Sequence, residues 1–80
     1  MTVGDLIKNK DYDYISYRLL IPDLGDVFIG SCASKNGELI FFGNDTDYSE
    51  DDVVVSYEEW TKPEKDIYSG LTVVVEGCDV

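Results

Sequence analysis

Carboxylates are the side chains that could do chemistry in this sequence, because 17 Asp and Glu stand against six Lys and Arg, and there is no His. The formal net charge is -11 over 80 residues. Without His, imidazole acid–base catalysis, Ser–His triads and His-ligated metals are excluded. The charge should also repel nucleic acid and anionic membranes. Carboxylates can still serve as acid–base pairs, as cation ligands or as a binding surface.

The negative charge is concentrated in the second half of the chain. Positions 1–43 hold six acids and four bases, a net charge of -2, whereas positions 44–80 hold eleven acids and two bases, a net charge of -9. Mutual repulsion within such a patch costs stability unless a cationic partner relieves it. Seven carboxylates with no intervening Lys or Arg make up the patch: Asp45, Asp47, Glu50, Asp51, Asp52, Glu58 and Glu59.

Three interpretations of this patch are open. It can be a solvated surface that keeps a small protein soluble. It can bind a divalent cation, because Asp45-x-Asp47-x-Ser49 has the opening spacing of a calcium loop; however, Glu50 stands where that loop needs Gly, and Ser56 stands where it needs a bidentate Glu. It can also dock on a basic protein groove, since carboxylates two residues apart on an extended chain are roughly 6–7 Å apart, like successive phosphates.

The docking interpretation is the leading hypothesis, and aromatic residues belong to it. Tyr and Trp are favoured interface anchors, although most of them in so small a domain should be core or half-buried wall. Tyr48 is the exception, because it lies in the most polar loop. The candidate partner-binding residues are Asp45, Asp47, Tyr48, Glu50, Asp51, Asp52, Glu58 and Glu59.

Nothing else in the sequence indicates an enzyme, a metal or a cofactor. Cys32 and Cys78 form no CxxC pair, and we expect Cys32 to be a small apolar strand residue without a disulfide. The glycines form no phosphate-binding motif, and no Ser has a GxSxG context. Eighty residues are also few for a catalytic pocket. We therefore expect a non-enzymatic protein with no catalytic residues, no metal site and no cofactor.

The expected location is the cytoplasm. The first residues have no basic segment followed by an apolar one, as a signal peptide would. The longest apolar runs, such as Leu39 to Phe42, are far below the ~20 residues of a membrane span.

The elements that must position these residues are a short helix and several strands. Thr2 and Asp5 have the spacing of a capping box, with Asp in place of Glu, before a helix over 3–9. Apolar alternation predicts strands over 14–21, 27–34 and 39–42. Asn36-Gly37 predicts a type I′ hairpin that sets Lys35 opposite Glu38 and Cys32 opposite Phe41.

The second half predicts two more strands, over 53–60 and 71–76, which we expect to pair antiparallel. Between them Thr61 and Pro63 fit a helix start, so either one helical turn or a bare loop is expected. The predicted fold is a single α+β domain over 1–80. It has a short N-terminal helix packed on a four- to five-stranded antiparallel meander whose other face is partly wet. Whether the late strands join this sheet or begin a second layer is open.

The segment Asp5-Leu6-Ile7-Lys8-Asn9-Lys10-Asp11-Tyr12 resembles the start of a family of small acidic anti-CRISPR proteins of prophages, which reads DLI, a few further residues, then KNKDY. The resemblance covers about eight of the 80 residues. It implies an α+β fold and an inhibitor or accessory role in a phage or mobile element, with DNA mimicry in the groove of a CRISPR nuclease. The inhibitory residues of the family lie outside this segment, so none is carried over.

Two hypotheses of function follow. The first is a cytoplasmic, bacterial-host inhibitor whose acidic, DNA-mimicking face blocks the basic groove of a CRISPR nuclease or another nucleic-acid-handling enzyme. It contacts neither nucleic acid nor membrane directly. The alternative is a structural or regulatory module that interacts through a sheet edge or face, with a homodimer as one form.

Overall fold

The computed structural model describes residues 1–42 and 49–76 as a short helix on one side of a mixed five-stranded sheet. The strands lie in the order β3-β2-β1-β5-β4. Both late strands therefore complete one sheet, which the sequence had left open. The elements are α1 (Val3–Ile7), β1 (Tyr12–Ile21), β2 (Gly25–Lys35), β3 (Glu38–Phe41), β4 (Val54–Lys62), a 3₁₀ turn (Pro63–Lys65) and β5 (Ile67–Glu76).

Helix α1 begins at the predicted capping box. The Asp5 amide donates to Thr2 Oγ1 at 3.3 Å, and the Thr2 amide donates to Asp5 Oδ2 at 2.9 Å. The shorter Asp side chain therefore performs the role that Glu has in the usual motif. The hydrogen bond from the Thr2 amide, followed by the Thr2 side chain, lowers the pKa of the Asp5 carboxyl. Five residues are too few for a helix to be stable alone, so its stability must come from packing on the sheet.

The hairpin between β2 and β3 confirms the predicted register. Asn36 and Gly37 have φ values of 55° and 80°, as a type I′ turn requires. Lys35 lies opposite Glu38, and the ladder continues to the pair Cys32 and Phe41. The dipeptide thus determines which side chains of both strands face the helix.

The prediction of an all-antiparallel meander is wrong, because β1 and β5 pair in parallel. The meander of β1, β2 and β3 and the hairpin of β4 and β5 are joined through that parallel pair. The physical reason is that β5 carries the uninterrupted run Val73 to Val75 and suits a central position. Strand β4 carries Glu58, Glu59 and Lys62 and suits an edge.

The connection between β4 and β5 contains one 3₁₀ turn, the first of the two expected alternatives. Pro63 lies in its first turn, as predicted, but Thr61 is the penultimate residue of β4 and caps nothing. Asp66 closes the turn with φ 59° and donates its amide to the Pro63 carbonyl at 2.9 Å.

The core lies between α1 and the sheet face that it covers. Burial of a Val, Leu or Ile side chain contributes about 1.5–3 kcal/mol, so this single layer carries most of the hydrophobic stabilisation. Cys32 is fully buried there as a free thiol, which confirms its predicted place in a strand. Among residues 1–42 and 49–76, no helix is long and apolar enough to cross a membrane. The core residues are Val3, Ile7, Tyr12, Ile15, Tyr17, Cys32, Leu71, Val73 and Val75.

Substitution of the hairpin glycine tests the type I′ turn. Gly37→Ala should lower the free energy of unfolding by about 1–2 kcal/mol, because a Cβ strains the left-handed backbone at φ 80°. Asn36→Gly is the matched control and should leave stability almost unchanged. Urea unfolding followed by circular dichroism measures both variants. Equal effects of the two substitutions would contradict the assigned turn.

Candidate functional site

An acidic turn, defined as Ser49 to Asp52, lies on the N-terminus of α1. The Val3 amide donates to the Asp52 carbonyl at 3.0 Å, and the Gly4 amide donates to the Glu50 carbonyl at 2.8 Å. The first amides of a helix have no partner within it, and here the turn provides one. A Cβ at Gly4 would lie 3.3 Å from the Glu50 carbonyl oxygen, so glycine permits this close approach.

The buried residue Tyr17 holds the acidic turn through its hydroxyl group. Its side chain is fully buried in the centre of the sheet, and its hydroxyl donates to the Asp52 carboxylate and contacts the Ser49 carbonyl at 3.2 Å. The same Asp52 oxygen accepts from the Ser49 amide at 3.1 Å. Burial, followed by the neighbouring Asp52, raises the pKa of the Tyr17 hydroxyl well above its usual value. Asp52 is therefore an internal acceptor that closes the turn.

Glu59 is also occupied within the chain. Its carboxylate accepts from the Tyr12 hydroxyl at 2.6 Å and pairs with the Lys10 ammonium at 3.5 Å. The same ammonium lies 5.2 Å from the centre of the Tyr12 ring. The Tyr12 hydrogen bond, and then Lys10, lower the pKa of the Glu59 carboxyl. We call this arrangement the Lys10–Tyr12–Glu59 cluster.

Glu58 and Glu59 lie on opposite faces of the sheet. Glu59 is opposite Leu71, on the face that α1 covers, whereas Glu58 is opposite Thr72 on the other face. Adjacent residues of a strand alternate in this way, so the sequence neighbours cannot belong to one surface of the sheet.

The other predicted partner-binding residues divide into two groups. Glu50 and Asp51 are exposed side by side on the acidic turn. Asp45, Asp47 and Tyr48 lie outside the described residues. Asp45 and Asp47 are the first two ligand positions of the calcium-loop spacing. Among residues 1–42 and 49–76, no group of three or more Cys, Asp or Glu is arranged to hold a metal ion.

The second face of the sheet carries a row of aromatic rings that the sequence did not single out. The rings of Phe42 and Tyr14 are 6.1 Å apart, and those of Tyr14 and Trp60 are 5.8 Å apart. The Trp60 indole donates to Thr72 Oγ1 at 2.9 Å and lies flat on Gly70, where a Cβ would come within 2.6 Å of the ring. Phe42, Tyr14 and Trp60 are called the aromatic row below.

Exposed apolar side chains lie on the same sheet face as the aromatic row. Phe28 is 48% exposed, Ile40 47% and Phe42 56%, and no element among the described residues covers them. Arg18 and Asp26 form an ion pair at 2.5 Å, and with Glu58 they line a wide hollow of about 520 Å³ beside the row. We call this surface the open face; it comprises Tyr14, Arg18, Asp26, Phe28, Ile40, Phe42, Glu58 and Trp60.

The sequence indicates which face of β1 carries Tyr14, but the assembly of the aromatic row also depends on the parallel pairing of β1 with β5, which was not predicted. The alternation of β1 places Tyr14 on the face opposite Ile15. Only the parallel pairing of β1 with β5 places Gly70 beside Tyr14 and brings Trp60 of β4 within reach. In a sequential meander β4 would follow β3, and Trp60 would not be expected to meet Tyr14.

Comparison with known proteins gives this site no precedent: no protein-family model, curated protein or solved structure matches the chain. Its function must therefore be inferred from its own residues. Cys32 is not a candidate nucleophile, because burial raises the pKa of its thiol to about 11.

Removal of one hydroxyl tests the support of the acidic turn. Tyr17→Phe should lower the free energy of unfolding by about 1.5–3 kcal/mol, because it removes a hydrogen bond to a carboxylate. Tyr57→Phe is the matched control, since Tyr57 is 48% exposed. Urea unfolding measures both, and hydrogen exchange at the Val3 and Gly4 amides shows whether the turn loosens. Equal stability of the two variants would refute this role of Tyr17.

The Lys10–Tyr12–Glu59 cluster predicts a dependence of stability on pH. Because the pKa of Glu59 is lower in the folded protein than its usual value of 4.5, its ionisation stabilises the fold above that pH. This stabilisation is lost as the pH falls through the folded pKa. Wild type should therefore exceed Glu59→Gln in stability at pH 7, and the difference should shrink below about pH 4.5.

Thermal unfolding of both proteins between pH 7 and pH 3 makes this measurement. Glu64→Gln is the control, because Glu64 is exposed in the 3₁₀ turn and has no hydrogen bond or ion pair with the described residues. A difference between wild type and Glu59→Gln that stayed constant over this range would contradict the prediction.

Proposed function

We propose that this protein is a non-enzymatic, protein-binding module that docks a basic partner on its open face. The observation that carries the proposal is the aromatic row, whose rings are held in place on a sheet surface that no element of residues 1–42 and 49–76 covers. Large exposed apolar patches on small proteins commonly mark interaction sites.

The rigidity of the row favours tight binding. Trp60 is fixed by its contact with Gly70 and its hydrogen bond to Thr72, and Tyr14 is packed between Trp60 and Phe42. Ordering a flexible side chain at an interface costs about 0.5–1.5 kcal/mol, and rings that are already packed avoid part of that cost. Trp and Tyr are also the residues most enriched among those that dominate binding energy.

The net charge favours a basic partner over a second copy of the chain. Two molecules that each carry a net charge of -11 repel each other, which opposes a homodimer. A protein with a positive surface would be steered toward this one, and its association would slow as salt is added. Nucleic acid and anionic membranes remain disfavoured as direct ligands.

A second candidate is the inhibitor suggested by the sequence, in which the acidic patch occupies the basic groove of a CRISPR nuclease or a similar enzyme. One observation favours it. Glu50 and Asp51 are exposed and adjacent, and the turn that presents them is fixed by the amides of α1. Neither forms an ion pair within the described part of the chain. Glu58, on the opposite side of the sheet from Glu59, does not extend this surface.

One affinity experiment distinguishes the two candidates. The immobilised protein captures partners from a lysate of its native cell, and the double variant Ile40→Thr/Phe42→Ser is compared with Glu50→Lys/Asp51→Lys. We expect the first variant to lose at least about tenfold in captured partner, because it removes apolar area from the centre of an interface. The second should lower capture only at low salt, through slower association.

The control is Leu24→Ser/Val55→Thr, which removes exposed apolar side chains outside the open face and should capture normally. Unchanged capture by Ile40→Thr/Phe42→Ser would refute docking on the open face. Loss of capture by Glu50→Lys/Asp51→Lys alone, together with recovery of DNA binding by a nuclease that wild type inhibits, would establish the acidic inhibitor instead. Asp52 is left intact throughout, because its substitution would disturb the Tyr17 hydrogen bond.

A further inference from the structure

We propose that the aromatic row, with Glu58 beside it, is a cation–π docking site for an extended segment of the partner that carries Arg or Lys at alternate positions. The inference rests on the proposed function, since it assigns the chemistry of the partner to the open face.

The chain already contains one site of this kind, occupied by its own lysine. In the Lys10–Tyr12–Glu59 cluster, the ammonium lies 5.2 Å from the ring centre and 3.5 Å from a carboxylate oxygen. A cation within about 6 Å of a ring centre is attracted by the ring, and the carboxylate adds an ion pair. An aromatic ring and a neighbouring carboxylate together therefore hold a cation at this site.

The open face also has an aromatic ring beside a carboxylate, and no described basic residue lies on the ring. Trp60, the residue whose ring attracts cations best, follows Glu58 by two positions on β4, so their side chains project from the same face at roughly 6–7 Å. Glu58 is exposed and forms no ion pair with any described residue. Within positions 1–42 and 49–76, Lys10 on Tyr12 is the cation–π contact of the chain, and no basic residue lies on the aromatic row.

Ring spacing defines the shape of the ligand. Successive rings of the row are 6.1 Å and 5.8 Å apart. Alternate side chains of an extended peptide project from one side roughly 6–7 Å apart, so each can contact one ring. The inner face of the Trp60 indole lies against Gly70, and the outer face points away from the sheet.

Charge complementarity identifies the ligand as cationic. The whole protein carries -11, so an Arg- or Lys-bearing segment is attracted before it makes contact. Arg18, a basic side chain of the open face, is neutralised by Asp26. Cationic groups of the ligand would meet the aromatic rings and the carboxylate of Glu58.

The single tryptophan provides the measurement, because Trp60 is the only one in the chain. The intact protein is titrated with the end-capped peptide Arg-Gly-Arg-Gly-Arg, and Trp fluorescence and calorimetry follow binding. The matched peptide has citrulline in place of each Arg, which keeps the planar shape and removes the charge by replacing one guanidinium nitrogen with oxygen. We expect saturable binding of the Arg peptide and at least about tenfold weaker binding of the citrulline peptide.

Three variants locate the binding. Tyr14→Leu and Phe42→Leu retain apolar area but remove a ring, and each should weaken the Arg peptide about fivefold. Glu58→Gln should weaken it by a similar factor, whereas the control Glu64→Gln should not. Circular dichroism confirms that each variant is folded.

Four results would each overturn the inference. Two concern the peptides: no binding of the Arg peptide, or equal binding of the citrulline peptide. Two concern the variants: normal binding by the Leu variants, or equal losses for Glu58→Gln and Glu64→Gln. None of these results touches the proposed function, which fails separately if Ile40→Thr/Phe42→Ser captures the cellular partner normally. Loss of partner capture in that variant together with a failed Arg peptide would mean that the open face docks its partner by apolar contact alone.

Discussion

The hydrogen bond from the buried Tyr17 hydroxyl to Asp52 is the contact on which the organisation of this small protein depends. Tyr17 lies on β1, which pairs with both β2 and β5, so its ring is fixed by the centre of the sheet. Its hydroxyl closes the acidic turn, and that turn accepts the first amides of α1. A five-residue helix cannot supply these partners itself. One phenol therefore couples the core to the element that covers it.

The described carboxylates of the acidic patch have different roles in the folded protein. Asp52 and Glu59 accept hydrogen bonds from the buried residues Tyr17 and Tyr12 on the sheet face that α1 covers. Glu50 and Asp51 remain exposed on the turn, and Glu58 points to the open face. Because a strand alternates its side chains, a dense run of charge in sequence is not a dense surface of charge in space. Among the described residues, the carboxylates of the patch therefore lie on more than one surface of the protein.

The parts of the fold that were predictable are those fixed by local chemistry. The capping box, the type I′ turn and the pairing of Cys32 with Phe41 each follow from a few neighbouring residues. The parallel contact between β1 and β5 was missed because it joins residues 56 positions apart, such as Tyr14 and Gly70, and sequential pairing was the simpler expectation. The continuous apolar run of β5 was the available signal for a central strand. The candidate site was missed with it, since Tyr14 and Trp60 meet only across β5.

The net negative charge of the protein affects which molecules can associate with its open face. A sheet surface with exposed Phe28, Ile40 and Phe42 would be expected to self-associate. Edge pairing is resisted by the charged residues of β4 and by the bulge between Val54 and Ser56. Face-to-face stacking is resisted by repulsion between molecules of charge -11. The same field attracts cationic segments. Under the function proposed above, a single physical property therefore opposes self-association and favours a basic partner.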